Sequence, residues 1–242
     1  MTIYAIGDIH GQLAELDRVL SLIERDGNPQ AEVIFLGDYT DRGPDSRGVL
    51  DRLMAGQKDG RTWTCLKGNH DRMFQRFLQD GTVADHNIKS GLPWDNHRLG
   101  GRATLESYGI AAHSDRSPAE LFAAAQTDVP EAHLAFLAGL PLHAERDGLL
   151  FVHAGIRPGL KLDAQIEDDL IWIREPFLSD PQPHPWLVVH GHTALDAPEH
   201  FGNRVDLDGG AGYGRPLSAA VFEGEEVFLL SHQGRVPLRP TS

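Results

Sequence analysis

The stretch that decides the fold reads Ile3-Tyr4-Ala5-Ile6-Gly7-Asp8-Ile9-His10-Gly11, a short apolar run that ends at a Gly-Asp pair. Two later apolar runs end in the same way, at Gly37-Asp38 and at Gly68-Asn69. A segment with helical spacing of apolar residues follows each run, so the first third of the chain predicts a βαβαβα order and a parallel sheet. Because the carboxyl ends of parallel strands share one edge, we expect these polar side chains to meet there.

The remainder of the chain is less regular. Residues 80–102 are polar and rich in glycine, which predicts a long loop, and three weaker helical patterns follow before residue 140. Later apolar runs predict five more strands, at 149–152, 186–189, 203–207, 217–222 and 227–230. No repeat or linker divides the chain, so we expect one α/β domain over residues 1–242, with a helical insertion at roughly 80–140.

The composition argues against several kinds of partner, cysteine-based site and membrane segment. The 242 residues include 22 Lys and Arg against 35 Asp and Glu, a formal net charge of −13, which argues against a partner that is nucleic acid or an anionic membrane. A single cysteine, Cys65, excludes an internal disulfide and a cysteine-based zinc cluster. The N-terminus has no signal-peptide pattern, and no apolar run approaches the ~20 residues of a membrane span, so we expect a cytoplasmic protein.

Side chains that bind metals recur where the predicted strands end. They are Asp8, His10, Asp38, Asn69, His70, His153 and His192. Carboxylate, amide and imidazole groups together suit divalent manganese, iron or zinc. Seven such groups exceed what one ion needs from protein, which favours two divalent metal ions that share a carboxylate, with ~3.5–4 Å between them. The neighbouring His190 is expected to be structural.

Five motifs occur in a fixed order: Gly7-Asp8-Ile9-His10-Gly11, Gly37-Asp38-Tyr39-Thr40-Asp41-Arg42-Gly43, Gly68-Asn69-His70-Asp71, His153-Ala154-Gly155 and Gly191-His192. This set resembles that of the calcineurin-like metallophosphoesterases. The second motif looks like the phosphoprotein phosphatase branch, which includes bacterial and phage serine/threonine protein phosphatases. The resemblance implies a sandwich of two mixed sheets flanked by helices, with the metals at the sheet edges.

The resemblance also implies a ligand set. Asp8, His10 and Asp38 would hold the first metal, and Asp38 would bridge to a second. The second metal would be completed by Asn69, His153 and His192. Some members end in Gly-His-x-His, whereas this chain has Ala194 in the fourth position, so water is expected there. Manganese is the metal expected in vitro, with iron and zinc as alternatives.

The family mechanism implies direct in-line attack on phosphorus by a metal-bridging hydroxide. Arg42 and Arg174 would hold the phosphate oxygens, since the guanidinium fork binds two oxygens at once. His70 would be the general acid, and Asp41 would orient it and keep it charged. Tyr213 lies in the glycine-rich stretch 209–214, where a family loop overhangs the metals, and is expected to touch the substrate.

Three functions remain open. The first is hydrolysis of phosphomonoesters, above all phosphoserine and phosphothreonine in proteins, so that the partner is a phosphorylated protein or a small phosphoester. The second is hydrolysis of diadenosine tetraphosphate and similar dinucleotides. Those enzymes tend to lack the aspartate of Asp-Arg-Gly, and the presence of Asp41 favours the first function. The third is a non-catalytic binder of metal or phosphopeptide, which the full set of site residues disfavours.

Overall fold

The computed structural model describes residues 2–27, 29–224 and 226–241. The helices in these residues are α1 (Leu13–Asp26), α2 (Ser46–Lys58), α3 (Asn69–Asp80), α4 (Gly101–Ser107), α5 (Pro118–Asp128), α6 (Glu131–Gly139) and α7 (Glu167–Trp172). The strands are β1 (Thr2–Ile6), β2 (Glu32–Phe35), β3 (Trp63–Cys65), β4 (His143–Arg146), β5 (Leu149–Val152), β6 (Leu187–His190), β7 (Glu199–His200), β8 (Arg204–Asp206), β9 (Ala219–Glu223), β10 (Glu226–Ser231) and β11 (Gly234–Pro237).

The strands form two mixed sheets. The first has the order β11-β10-β9-β1-β2-β3, in which β1, β2 and β3 are parallel and β9 to β11 are antiparallel to their neighbours. The second has the order β4-β5-β6-β8-β7, with β5, β6 and β8 parallel and an antiparallel strand at each edge. The predicted α/β class, with two mixed sheets flanked by helices, is confirmed.

The two sheets pack face to face through alternate side chains. Ile3 of β1 lies in an apolar cluster with Phe151 and Phe222, whose ring centroids are 5.6 Å apart. The next residue along β1, Tyr4, belongs to a second cluster with Leu20 of α1. Because successive side chains of a strand point to opposite faces, the first sheet has one face on the second sheet and the other on helices.

The helical insertion packs on helices α2 and α3. Residues 81–100 contain no helix or strand, and α4, α5 and α6 follow, as the sequence predicts. Trp94, Leu105 and Leu137 share one apolar cluster with Phe74 and Phe77 of α3. This common core supports our proposal that residues 1–242 form a single domain.

Four elements lie outside the predicted set: β4, β7, β11 and α7. The strands β4, β7 and β11 stand at sheet edges, where one side of the strand is unpaired and polar side chains are tolerated. Their sequences therefore contain no apolar run. Helix α7 has six residues and begins with three acidic ones, too short a segment for a helical period to be visible. Among the described residues, no helix combines the length and apolarity required to cross a membrane.

Candidate active site

The predicted ligand residues come together where strands of both sheets end. Asp8 and Asp38 follow β1 and β2, and Asn69 is the first residue of α3, just beyond β3. His153 and His192 follow β5 and β6 of the second sheet. These side chains are buried, with exposures between 0% and 9%. The parallel strands of each sheet thus deliver their polar residues to one shared edge, as the Gly-Asp pattern predicts.

Backbone strain is concentrated at this edge. The described non-glycine residues with positive φ are His10, Asp38, Asp41, Arg42, Asp147 and His192. All of them except Asp147 belong to the motifs. Positive φ is unfavourable for residues with a Cβ and persists where the surroundings enforce it, which is typical of functional sites.

Two glycines are required because side chains of the site come close to their backbone. A Cβ on Gly68 would lie 2.1 Å from Asp38 Oδ1, and a Cβ on Gly191 would lie 2.1 Å from Asp8 Oδ1. Neither separation is compatible with non-bonded contact. The glycines of Gly-Asn-His-Asp and Gly-His therefore make room for the carboxylates of the other motifs.

Asp38 lies at the centre of the ligand cluster. Its Oδ2 is 3.5 Å from His10 Nε2, and its Oδ1 is 3.5 Å from His153 Nε2. Two groups of side chains have their ligand atoms within 4.8 Å of one another, and Asp38 belongs to both: one includes His10 and His70, the other Asp8 and His153. This placement agrees with a bridging role for Asp38. The groups differ from the implied ligand set in that His70, expected as an acid, lies within reach of the first group.

The nitrogen and oxygen atoms that face one another in this cluster suit the binding of cations. His153 Nδ1 is 2.9 Å from the Leu36 carbonyl oxygen, and its Nε2 is 2.9 Å from Asn69 Oδ1. A neutral imidazole carries one N–H, so it cannot donate to both oxygens. If Nδ1 donates to Leu36, the Nε2 lone pair faces the amide oxygen of Asn69, and His192 Nδ1 approaches the same oxygen at 2.8 Å. Such convergence of ligand atoms, with an outer hydrogen bond fixing the ring, is typical of a metal site.

The charges of the cluster also favour cations. Burial raises the pKa of the Asp8 carboxyl well above its usual range, and the charges of Asp208 and Asp38 add to the effect. Burial likewise raises the pKa of Asp208. Buried carboxylates without nearby cations are costly, and divalent ions would offset that cost. The residues present therefore fit a dinuclear metal centre.

Asp71 shapes the loop that carries Asp38. Its carboxylate accepts hydrogen bonds from the backbone N–H groups of Asp38 at 2.8 Å, Tyr39 at 2.9 Å and Gly68 at 3.0 Å. The sequence presents Asp71 only as the last residue of a motif. In the structure it ties the second and third motifs together, and it has no exposed surface.

The expected acid and its orienting partner are in contact. His70 Nδ1 lies 2.6 Å from Asp41 Oδ2, and Arg42 Nη2 lies 3.0 Å from His70 Nε2. Because Arg42 can only donate, the proton of a neutral His70 lies on Nδ1 and is donated to Asp41. Burial, followed by the Arg42 charge, lowers the pKa of His70 to about 3, and burial raises that of Asp41 to about 7. Asp41 thus lies where it could orient the His70 ring, in contact with Nδ1.

The insertion supplies further partners of Asp41 that sequence reasoning missed. The indole Nε1 of Trp94 donates to Asp41 Oδ2 at 2.8 Å, and the Thr104 hydroxyl donates to Oδ1 at 2.7 Å. Both hydrogen bonds lower the pKa of Asp41 against the effect of burial. In the sequence, the one indication of this role is a tryptophan within a glycine-rich loop. It does not identify Asp41 as the partner.

The expected phosphate-binding residues lie around a cavity of about 1090 Å³. Arg42 donates to His10 Nε2 at 2.6 Å, and the Tyr213 ring lies 4.8 Å from its guanidinium carbon. Tyr213 is 61% exposed and lines the cavity. Arg174 lines it as well, and its side chain makes no hydrogen bond or ion pair with the described residues.

The predicted site residues divide into two groups by position. Those that line the cavity are Asp38, Arg42, Asn69, His70, Arg174, His192 and Tyr213. Asp8, His10, Asp41 and His153 lie buried next to them. His190, expected to be structural, has its Nδ1 3.0 Å from the Gly191 carbonyl oxygen and its Nε2 3.2 Å from Arg204.

Known protein sequences match most of this chain. A profile of the calcineurin-like phosphoesterase family matches residues 1–214. The bis(5'-nucleosyl)-tetraphosphatase (asymmetrical) PrpE of Oceanobacillus iheyensis is 27% identical over 256 residues, covering 96% of this chain and 94% of that protein. The protein of the same name from Geobacillus thermodenitrificans is 24% identical over 244 residues, covering 90% and 89%.

Solved structures show the same fold. A cold-active protein-tyrosine phosphatase from a Shewanella psychrophile superposes with a TM-score of 0.62 at 15% identity and covers 98% of this chain and 80% of its own. A metallophosphoesterase from Sphaerobacter thermophilus gives a TM-score of 0.55 at 18% identity and covers 99% and 90%. The ligand cluster at the sheet edges, the fold and the profile match agree, and the chain belongs to the calcineurin-like phosphoesterase family.

Proposed function

We propose that this phosphoesterase hydrolyses dinucleoside tetraphosphates asymmetrically, to a nucleoside triphosphate and a nucleoside monophosphate. This was the second of the functions that the sequence left open. It is supported by the relatives from Oceanobacillus and Geobacillus, which carry that activity in their names and match nearly the whole chain. Hydrolysis forms one phosphorus–oxygen bond from water and breaks one bridging phosphorus–oxygen bond.

The observation that carries the proposal is the size of the cavity beside the ligand cluster. Its volume of about 1090 Å³ lies just above the range of about 300–1,000 Å³ that small-molecule sites occupy. A single phosphoryl group would fill a small part of it. The cavity continues from Asn69 and His70 to Asn87 and Ile166, so it has room for a long substrate.

The metals would be held by the residues that the resemblance implies: Asp8, His10, Asp38, Asn69, His153 and His192. When bound, two divalent ions supply positive charge and lower the pKa of water so that it can attack phosphorus near neutral pH. Manganese, iron and zinc all suit these ligands, and we propose manganese for measurements in vitro.

The chain's own cations would bind the reacting phosphate. The Arg42 side chain lies between His10 and His70, at the inner end of the cavity, and Arg174 lies on the cavity wall without a partner among the described residues. Phosphoryl transfer depends on positioning and charge more than on covalent chemistry. Tyr213, stacked on Arg42 and largely exposed, would cover the phosphate from the open side.

With substrate bound, the Arg42 guanidinium would turn from His70 Nε2 to the phosphate. An imidazole protonated on both nitrogens would then donate its Nε2 proton to the leaving oxygen, while Asp41 accepts from Nδ1. The 2.6 Å contact between the two side chains fixes the ring, and the bonds from Trp94 and Thr104 fix Asp41 in turn. A positioned acid of this kind contributes about 10²–10⁴-fold to rate. Each residue in this chain of contacts is buried, so the geometry is maintained without solvent.

A second candidate is the hydrolysis of phosphomonoesters, including phosphoserine and phosphothreonine in proteins. The same Asp41–His70 contact favours it, because an alkoxide leaving group needs a proton more than a phosphate does. The catalytic groups suit both candidates, and the size of the cavity favours the dinucleotide. Cytoplasmic localisation stays a prediction.

The test is a parallel assay of the manganese-loaded protein with diadenosine tetraphosphate and with a phosphoserine peptide, each with a chelated control. We expect metal-dependent formation of ATP and AMP. Preferential release of phosphate from the peptide would support the second candidate. Two molecules of ADP would contradict asymmetric cleavage. Activity on neither substrate, with metals bound, would contradict both candidates and favour a non-catalytic binder or another substrate.

A further inference from the structure

The outer part of the cavity is formed by residues that carry no motif. One wall comes from the insertion and another from the segment around α7. The first wall is Asn87, Ile88, Lys89 and Ser90, and the second includes Ile166, Asp168, Asp169, Trp172 and Arg174. Both walls are continuous with the ligand residues Asn69 and His192 in the same cavity.

A buried arginine joins the two walls. Arg72, in the first turn of α3, is 4% exposed. Its Nη2 donates to Asp85 Oδ2 at 3.0 Å, and its Nη1 donates to Asp168. His86 Nε2 lies 2.9 Å from the other oxygen of Asp168. The contacts of Arg72 and His86 therefore hold the insertion and the segment around α7 at a fixed distance from each other.

The segment that carries Lys89 is itself held by turns. Asp85 Oδ1 accepts from the Asn87 backbone N–H at 3.0 Å, and the Asp85 carbonyl accepts from Ile88 at 3.1 Å. The Ile88 carbonyl then accepts from Gly91 at 2.8 Å. These bonds close two successive turns, and Lys89 and Ser90 are exposed at their tip, on the cavity.

The charges of the outer cavity favour an anion. Asp168 is neutralised by Arg72, and Asp169 pairs with Arg157 at 2.7 Å. Lys89 and Arg174 have no carboxylate partner among the described residues. Glu175, which accepts from the Ser179 hydroxyl, is the carboxylate of this wall that lacks a cation. In a chain of net charge −13, two unpaired cations facing one cavity are a local exception.

The same walls offer an apolar surface and an unused donor. Ile166 is 59% exposed, a large fraction for an isoleucine, and it lines the cavity together with Ile88. The Trp172 indole Nε1 is buried and makes no hydrogen bond with the described residues. Unpaired donors, cations and an apolar face are what a nucleotide requires, since it has a phosphate chain and a flat base.

We propose that these walls form a distal subsite for the part of the substrate beyond the reacting phosphorus, with Lys89 binding oxygens of the polyphosphate chain and Ile166 contacting the base. The subsite deepens the proposed function and rests on it. Lys89 is then a determinant of specificity for long substrates, and Arg72 is the residue that positions it.

The test compares Lys89→Ala with Lys58→Ala in the full-length, manganese-loaded protein. Lys58 is exposed, does not line the cavity and loses the same charge. We expect Lys89→Ala to lower kcat/KM for diadenosine tetraphosphate about tenfold, mainly through KM, which corresponds to the loss of one charge-assisted hydrogen bond. The corresponding loss on para-nitrophenyl phosphate should be much smaller, and Lys89→Arg should recover most of the activity on the dinucleotide.

The outcomes separate this inference from the proposed function. A wild-type protein that cleaves para-nitrophenyl phosphate but not the dinucleotide would overturn the proposed function. A wild-type protein that cleaves the dinucleotide while Lys89→Ala behaves like Lys58→Ala would overturn the subsite alone. Equal losses on both substrates would also overturn it, because Lys89 would then act on the reacting phosphate or on the fold.

Discussion

At the scale of single residues, Asp38 shows how much chemistry depends on one side chain. Its two oxygens each lie 3.5 Å from a different histidine, its backbone has positive φ, and its N–H donates to Asp71. Gly68 allows this carboxylate to lie against its backbone. A substitution at any of these partners is therefore expected to displace the proposed metal ligand Asp38.

His70→Asn tests the proposed acid. The variant removes the proton donor while Asn69, His153 and the carboxylates stay in place, so we expect turnover to fall about 10²–10⁴-fold. Metal content, measured by elemental analysis, should remain that of the wild type. His97→Asn, at an exposed histidine without a motif, serves as the control and should keep its activity. Full activity of His70→Asn would remove His70 from the mechanism.

At the scale of elements, the insertion takes part in the site as well as in the fold. Its Trp94 ring packs on Phe74 and Phe77, with centroid distances of 5.5 Å and 4.7 Å, and its Nε1 reaches Asp41. The Gly100 carbonyl accepts from the Arg42 backbone N–H at 3.4 Å. The loop 81–100 thus holds the loop that carries Asp41 and Arg42.

Trp94→Phe separates these two contributions, because phenylalanine keeps an aromatic ring and loses the donor. We expect kcat to fall about tenfold with KM nearly constant, since a hydrogen bond to a charged group is lost. Trp186→Phe is the matched control: its Nε1 donates to Glu145 at 2.9 Å, and Trp186 does not line the cavity. Equal kinetics for the two variants would contradict a positioning role for Trp94.

At the scale of the whole molecule, buried ionisable groups couple the fold to pH. His133 of α6 is buried between Asp51 of α2 and Tyr108, the residue after α4. Its Nδ1 accepts from Tyr108 Oη at 2.6 Å and its Nε2 donates to Asp51 at 3.0 Å. Burial lowers the pKa of His133, and the nearby Arg47 charge adds to this, whereas Asp51 opposes it. The His133 imidazole therefore binds a proton less readily in the folded chain than in the unfolded chain.

The sign of the pH effect follows from proton binding. Below the ordinary histidine pKa of about 6.5, the unfolded chain binds a proton at this position more readily than the folded chain. The contribution of neutral His133 to stability is thus present above that pH and is lost as the pH falls. We expect His133→Gln to lower the midpoint of thermal unfolding most at about pH 8 and less at about pH 5. Differential scanning calorimetry measures this, and parallel curves for the two proteins would contradict it.

Much of the site could be predicted from local sequence patterns: the parallel strands β1 to β3 and the polar residues that follow them. Apolar runs that end in Gly-Asp or Gly-Asn indicate both a strand and its polar end within a few residues. Asp8, Asp38 and Asn69 could therefore be placed at strand ends from the sequence. The phosphoesterase motifs extended the set to His153 and His192. Edge strands such as β4, and the short helix α7, could not be predicted, because their sequences show no hydrophobic periodicity.

The residues that support and surround the site are brought together by folding and could not be predicted from local patterns. Trp94 reaches Asp41 from 53 residues away, Thr104 from 63, and Arg72 reaches Asp168 from 96. No periodicity of a helix or strand links residues so far apart in one sequence. Their pairing follows from the packing of the insertion on α2 and α3, and of α7 beside the second sheet. The same packing shapes the cavity around Lys89, because its walls come from two segments that meet only in the folded chain.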